Sequence, residues 1–423
     1  MEQETWEKVQ IKRENNLLKV VFLVGIVCII FSLIRRDILW FLTSLMYIEL
    51  TYGVYKIKVK EIERYKFFDL KKKLFLLSSI PLLLGASGFA GVIDHYLIFR
   101  NIFFVTVLSV LGFMLILNMD KYTSFRTNCD FTIGFIILFS IAGGTLLEIS
   151  RFVSDEFLGT EILEDNFHFM LDITWITLFS FCLGLYFMFL IRNIKYVGSE
   201  RIKKNFDFTL ISKNHIEGYV KILDAACREK RYYLFIFTRL WQVGIFMTVV
   251  WGILTVDFYT IGWGIFSLAL AMLPDIFNKK IEQEVPPLFY FWITTVLFIF
   301  AMGRPLGFYG MFHLWAEVTH LLAGTAVAIL IFFLLIYLNW ISDTLYFPPW
   351  LLFILVIFFM ILAGVIWEIG EFIIDLIFET NLQPHLRDTV YDLLFNVFGG
   401  VIALRFAYYY FPKKLWTTSK KKK

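Results

Sequence analysis

Twelve long apolar runs, most of about 17–22 residues and divided by clusters of charge, dictate what this 423-residue chain can become. A run of that length crosses a hydrocarbon layer of ~30 Å as an α-helix. No water is available there, so helices or closed barrels alone satisfy the backbone. Charged residues make up 18% of the chain, below the roughly 25% of soluble domains. The predicted class is all-α: a polytopic membrane protein with spans near 18–34, 38–55, 74–92, 97–118, 131–152, 169–192, 233–254, 258–277, 287–303, 319–338, 349–377 and 390–411. Charged residues 1–19 precede the first run without a small-residue cleavage pattern, so no cleavable signal is expected. Cys28, Cys129, Cys182 and Cys227 are scattered without a C-x-x-C pair and argue for neither a disulfide nor a zinc site.

Twelve spans put both termini on one side, and Lys/Arg asymmetry says which. Segments on the terminal side hold 32 basic residues; the opposite loops hold only Arg35, Arg36, Arg100, Arg151, Arg304 and Arg387. Both termini are therefore expected in the cytoplasm, with the short loops outside the cell membrane. Arg239 and Arg405 lie within spans near the basic side, where snorkelling is the expectation.

The chain also repeats itself. "LVGIV" at 23–27 recurs as "QVGIF" at 242–246, and "GFAG" at 88–91 recurs as "GFYG" at 307–310. "GGTLLEISRFVSD" (143–155) lies over "AGVIWEIGEFIID" (363–375) at an offset of 220, pairing Glu148 with Glu368, Asp155 with Asp375 and, further on, Asp172 with Asp392. Matched acids inside apolar spans at a nearly constant offset indicate duplication. Three regions follow: a six-helix repeat at 1–192, a basic connector at 193–232 and a second six-helix repeat at 233–423. Six spans per copy give both the same orientation, related by an axis along the membrane normal. The connector sets Ile216, Tyr219, Val220, Leu223 and Ala226 on one face among basic residues, the pattern of a helix lying on the anionic inner leaflet; a solvated tether fits it equally. The C-terminal lysines are read as lipid-surface contacts. Membrane lipids are the expected partners, and nothing in the pattern calls for nucleic acid.

Polar residues converge in the second half. His313, Glu317, His320 and Gly324 form one helical stripe, Glu368, Glu371 and Asp375 a second, and Asp388, Asp392 and Asn396 a third. Each stripe lies at the outward end of its span. An acid deep in a bilayer costs ~2.5 kcal/mol or more, so such residues normally face a bundle interior or a water-filled cavity. Bland roles compete. Asp388 is equally placed to be a helix N-cap, Asp375 and His313 to sit in the headgroup zone, and Asn396 to join helices. Six carboxylates, two imidazoles and an amide, with only Arg304 and Arg387 outside to balance them, call for a cation or for shared protons. The metal set expected is His320, Glu368, Glu371, Asp388 and Asp392, with His313, Glu317, Asp375 and Asn396 as further polar groups. Mg²⁺, Mn²⁺, Ca²⁺ and Zn²⁺ all remain open. In the first half Arg100 falls opposite His320 and Arg151 opposite Glu371, leaving Glu148, Asp155, His168 and Asp172. Arg151 is spaced to neutralise Glu148 and Asp155, which marks the first half as a degenerate copy.

At these residues the second half resembles the VanZ-like and YjdF-like families of bacterial membrane proteins. The resemblance rests on "HLLAG" at 320–324, "WEIGE" at 367–371 and "DTVYDLLFNVFGG" at 388–400. It implies a helical membrane module with a polar site and, for VanZ-like members, an association with the cell envelope. Those families carry an acid four residues before the histidine, where this chain has Ala316 followed by Glu317. Three functions compete. One is a metal-dependent enzyme acting on an envelope lipid or lipid-linked substrate. The others are a cation- or proton-coupled transporter and a non-catalytic scaffold. No nucleophile motif, P-loop or dinucleotide fingerprint is present.

Overall fold

A computed structural model describes residues 2–35, 38–57, 61–87, 97–159, 163, 165–192, 231–280, 287–312, 314–342 and 345–410. His313, connector residues 193–230 and the C-terminal lysines lie outside the described residues. Helices account for nearly all of the described chain, and its extended pairing is a single β-bridge. They are α1 (Glu2–Arg35), α2 (Ile38–Tyr55), α3 (Glu61–Ser87), α4 (Leu97–Tyr122), α5 (Cys129–Leu158), α6 (Asn166–Arg192), α7 (Arg231–Thr255), α8 (Phe258–Lys280), α9 (Pro287–Gly303), α10 (Phe308–Met311), α11 (Trp315–Ile341), α12 (Pro349–Phe378) and α13 (Leu386–Tyr410). Each of the twelve expected spans lies mainly within one of these, and the four-residue α10 is the addition. Nine described helices are long and apolar enough to cross a membrane, with α9 a shorter apolar helix beside them. The chain is a polytopic helical membrane protein.

Local chemistry sets the ends that matter for the site. Asn128 caps α5 by accepting the Phe131 N–H at 2.9 Å, and Gly159 stops the same helix at φ 65°. Pro349 occupies the first turn of α12, where its missing N–H costs nothing. Glu379 then ends α12 at φ 51°, a left-handed position that glycine fills after α5. α5 and α12 thus begin and end 220 residues apart, and α6 and α13 start at the same offset.

The chain forms two compact units. The first comprises residues 1–204, 342–348 and 361–390, with α1 to α6 packed around Cys28, Tyr47, Leu74, Leu111, Phe113 and Phe187. The second comprises residues 205–341, 349–360 and 391–423; there α7 packs on α8 and α9 about Ile245, Ala271 and Ala301, and α9 packs on α11.

Candidate metal centre

α11 and α13 approach closely because two glycines allow it. A Cβ on Gly324 would be driven into the Asn396 carbonyl oxygen, and one on Gly399 into the Leu321 carbonyl oxygen. Backbone meets backbone at both points, so no side chain can yield. The approach brings His320 onto the α13 ladder. Its Nε2 lies 3.4 Å from Asp392 Oδ2, and its Nδ1 lies 3.1 Å from Asn396 Nδ2. Side-chain exposure is 12% for His320 and 7% for Asp392, so both leave water almost completely. With the Asn396 amide donating to Nδ1, Nε2 carries the ring proton and faces the carboxylate. Flipping the amide by 180° presents Oδ1 to an Nδ1–H instead and frees the Nε2 lone pair for a cation.

Glu368 is fully buried on α12.

Glu371 accepts the Trp367 indole N–H at 3.0 Å. α13 begins at Leu386, so Asp388 occupies the first helical turn rather than an N-cap, on the end of the helix dipole that favours acids. Glu317 lies one turn before His320 on α11. Asp375 organises the loop after α12 by accepting from the Thr380 hydroxyl at 2.6 Å, the Leu382 N–H at 2.8 Å and the Gln383 N–H at 3.0 Å.

That loop delivers a residue the sequence did not single out. The Gln383 amide donates to the Glu368 carbonyl at 2.9 Å and to its Oε2 at 2.7 Å, holding one face of the carboxylate. No helical periodicity marks Gln383; the only signal was an acid, Asp375, a short distance upstream with N–H groups to gather.

The first-half counterparts pair off individually. Arg151 Nη1 meets Glu148 Oε1 at 2.6 Å, with Glu148 fully buried. The Asn101 amide donates to Asp172 Oδ1 at 2.7 Å. Asp155 accepts the Leu163 N–H at 2.8 Å, as Asp375 does for its own loop. His168 bonds Asp165 through both its N–H and its ring at 2.8 Å. The His168 N–H holds the Asp165 carboxyl below the usual carboxylate range, outweighing its partial burial. A guanidinium and an amide thus stand against the acids equivalent to Glu368 and Asp392.

The Arg239 guanidinium grips Asp275 with two bonds of 2.6 and 2.7 Å and reaches Gln242 Oε1 at 2.7 Å. Gln242 passes a bond to the Tyr290 hydroxyl, which donates to Asp275. Opposite charges on adjacent spans were the sequence signal for this network, because each lowers the cost of burying the other.

Residues 237–413 match a sequence family described as "Predicted membrane protein (DUF2238)". A protein of Thermotoga maritima described as "Uncharacterized protein" is 28% identical over 151 residues, which is 35% of this chain and 76% of that protein. No solved structure matches. The second half is therefore similar to a family of predicted membrane proteins.

Proposed function

We propose that the second half binds a divalent cation on His320, Glu368 and Asp392, and that the bound ion serves chemistry on an envelope lipid or lipid-linked substrate. The observation that carries this reading is the buried pair of His320 Nε2 and Asp392 Oδ2, 3.4 Å apart, with Glu368 a further fully buried carboxylate. Buried carboxylates are costly unless positive charge meets them. Three protein ligands also leave coordination positions for water or for a substrate oxygen, which a metal polarises or activates. A set of one nitrogen and two carboxylates suits Zn²⁺ or Mn²⁺ better than Ca²⁺, which takes six to eight oxygens. The resemblance to VanZ-like and YjdF-like proteins supports an envelope setting.

Metal analysis and Mn²⁺ binding on the purified full chain test the reading, with Asp392→Asn, Glu368→Gln and His320→Ala as variants. Wild type is expected to bind one ion per chain, and each variant to lose at least tenfold in affinity. A wild type that binds no divalent cation, or variants that bind as wild type does, would overturn it.

A further inference from the structure

The loop that positions Gln383 also walls a cleft of about 550 Å³, large enough for a small headgroup. Its polar lining is Asp165, Asn166, Asp375, Gln383 and His385, and none of its lining residues is lysine or arginine. Two of these polar groups are incompletely used. The Asn166 amide donates to the Gln383 carbonyl at 3.2 Å, while its own Oδ1 is buried without a hydrogen-bond partner among the described residues. Gln383 spends both amide hydrogens on Glu368, while its Oε1 is likewise buried and without a partner, in a side chain more than nine-tenths buried. Native interiors rarely leave acceptors in this state, and a bound donor is the usual resolution. The apolar walls include Phe167 and Phe372, whose rings lie 5.7 Å apart.

We propose that this cleft is an ammonium-binding subsite that takes the primary amine headgroup of a membrane lipid. The polar lining is acidic and rich in acceptors. Two carboxylates supply negative charge, two amide oxygens supply acceptors, and aromatic faces attract a cation. A primary ammonium offers three N–H bonds and one positive charge, whereas a phosphate or a quaternary amine offers no donor. Arg387, next in the chain after the lining residue Leu386 and largely exposed, is a counter-charge for the lipid phosphate. Gln383 would report occupancy directly to Glu368, because one amide bonds the carboxylate and lines the cleft. This inference rests on observations separate from the cation trio, and it names the substrate class that the proposed site would serve.

The test uses the full chain in nanodiscs containing equal amounts of phosphatidylethanolamine, phosphatidylcholine and phosphatidylglycerol, with retained lipid counted by native mass spectrometry. The ethanolamine lipid is expected to be retained roughly tenfold over the other two, the ratio that one or two charge-assisted hydrogen bonds give. Leu376→Trp, which fills the cleft without touching its hydrogen bonds, is expected to bring all three lipids to parity, and Gln383→Leu to weaken the preference. Equal retention by wild type, or a preference that survives Leu376→Trp, overturns the proposal. Displacement of the lipid by free ethanolamine at low millimolar concentration would assign the subsite to a soluble amine and overturn the lipid assignment. If the preference stands while wild type binds no Mn²⁺, only the cation reading falls.

Discussion

Glu148 and Glu368 occupy equivalent places in the two halves, are both fully buried, and should respond in opposite ways to the same substitution. Glu148→Gln removes the charge that meets Arg151 at 2.6 Å, while Arg151 itself is only 15% exposed. Breaking a buried ion pair costs 3–5 kcal/mol when one charge is stranded. Glutamine keeps an acceptor, and the small remaining exposure of Arg151 gives some access to water, so the loss should fall near ~2–3 kcal/mol. Glu368→Gln instead deletes a fully buried charge while keeping an amide partner for Gln383, and without divalent cation it should leave stability unchanged or raise it. The assay is thermal unfolding of the detergent-purified protein, followed by size-exclusion recovery, with and without Mn²⁺. Glu148→Gln is expected to lower the midpoint by several degrees in both conditions. Glu368→Gln is expected to lose only the increment that Mn²⁺ adds to wild type. The division between a structural and a working half would be refuted if Glu148→Gln abolished the Mn²⁺ increment while Glu368→Gln lowered the metal-free midpoint.

Gly324→Ala and Gly399→Ala force backbone from backbone and should each cost ~1–3 kcal/mol, with loss of Mn²⁺ binding, whereas Gly370→Ala, whose Cβ meets nothing within 4 Å, should unfold like wild type. Asn396→Asp fixes an acceptor against His320 Nδ1 and should tighten Zn²⁺ binding measured by competition with a chelating dye; Asn396→Leu should weaken it by ~10–100-fold, and equal affinities would remove Asn396 from the site. Membrane-impermeant thiol reagents should reach cysteines engineered at Glu156 and Glu379 from outside intact cells, and one at Lys221 only after permeabilisation; the reverse pattern would invert the orientation.

Much of this architecture was legible in the sequence because each element carries its own signal. An apolar run of fixed length means a spanning helix whatever its neighbours do, so each of the twelve segments found its helix. Acids at helical spacing inside such runs are costly enough to mark a site, and His320, Glu368 and Asp392 stood out for that reason. What escaped depends on where the chain turns back. Gln383 reaches Glu368 only because Asp375 gathers a loop of particular length, and loop geometry leaves no periodic trace. The Arg239–Asp275 pair escaped because its partners lie 36 positions apart on different helices, and no periodicity within one helix registers such a meeting.

Arg126 and Tyr346, 220 positions apart, form the β-bridge, with the Arg126 N–H meeting the Tyr346 carbonyl at 3.0 Å and the Tyr346 N–H returning to the Arg126 carbonyl at 2.9 Å. These are the same position counted once in each copy. Both backbone donors and both acceptors of the pair are thereby satisfied without any side chain, so the bridge makes no demand on which residue stands at either position, and an arginine and a tyrosine serve equally.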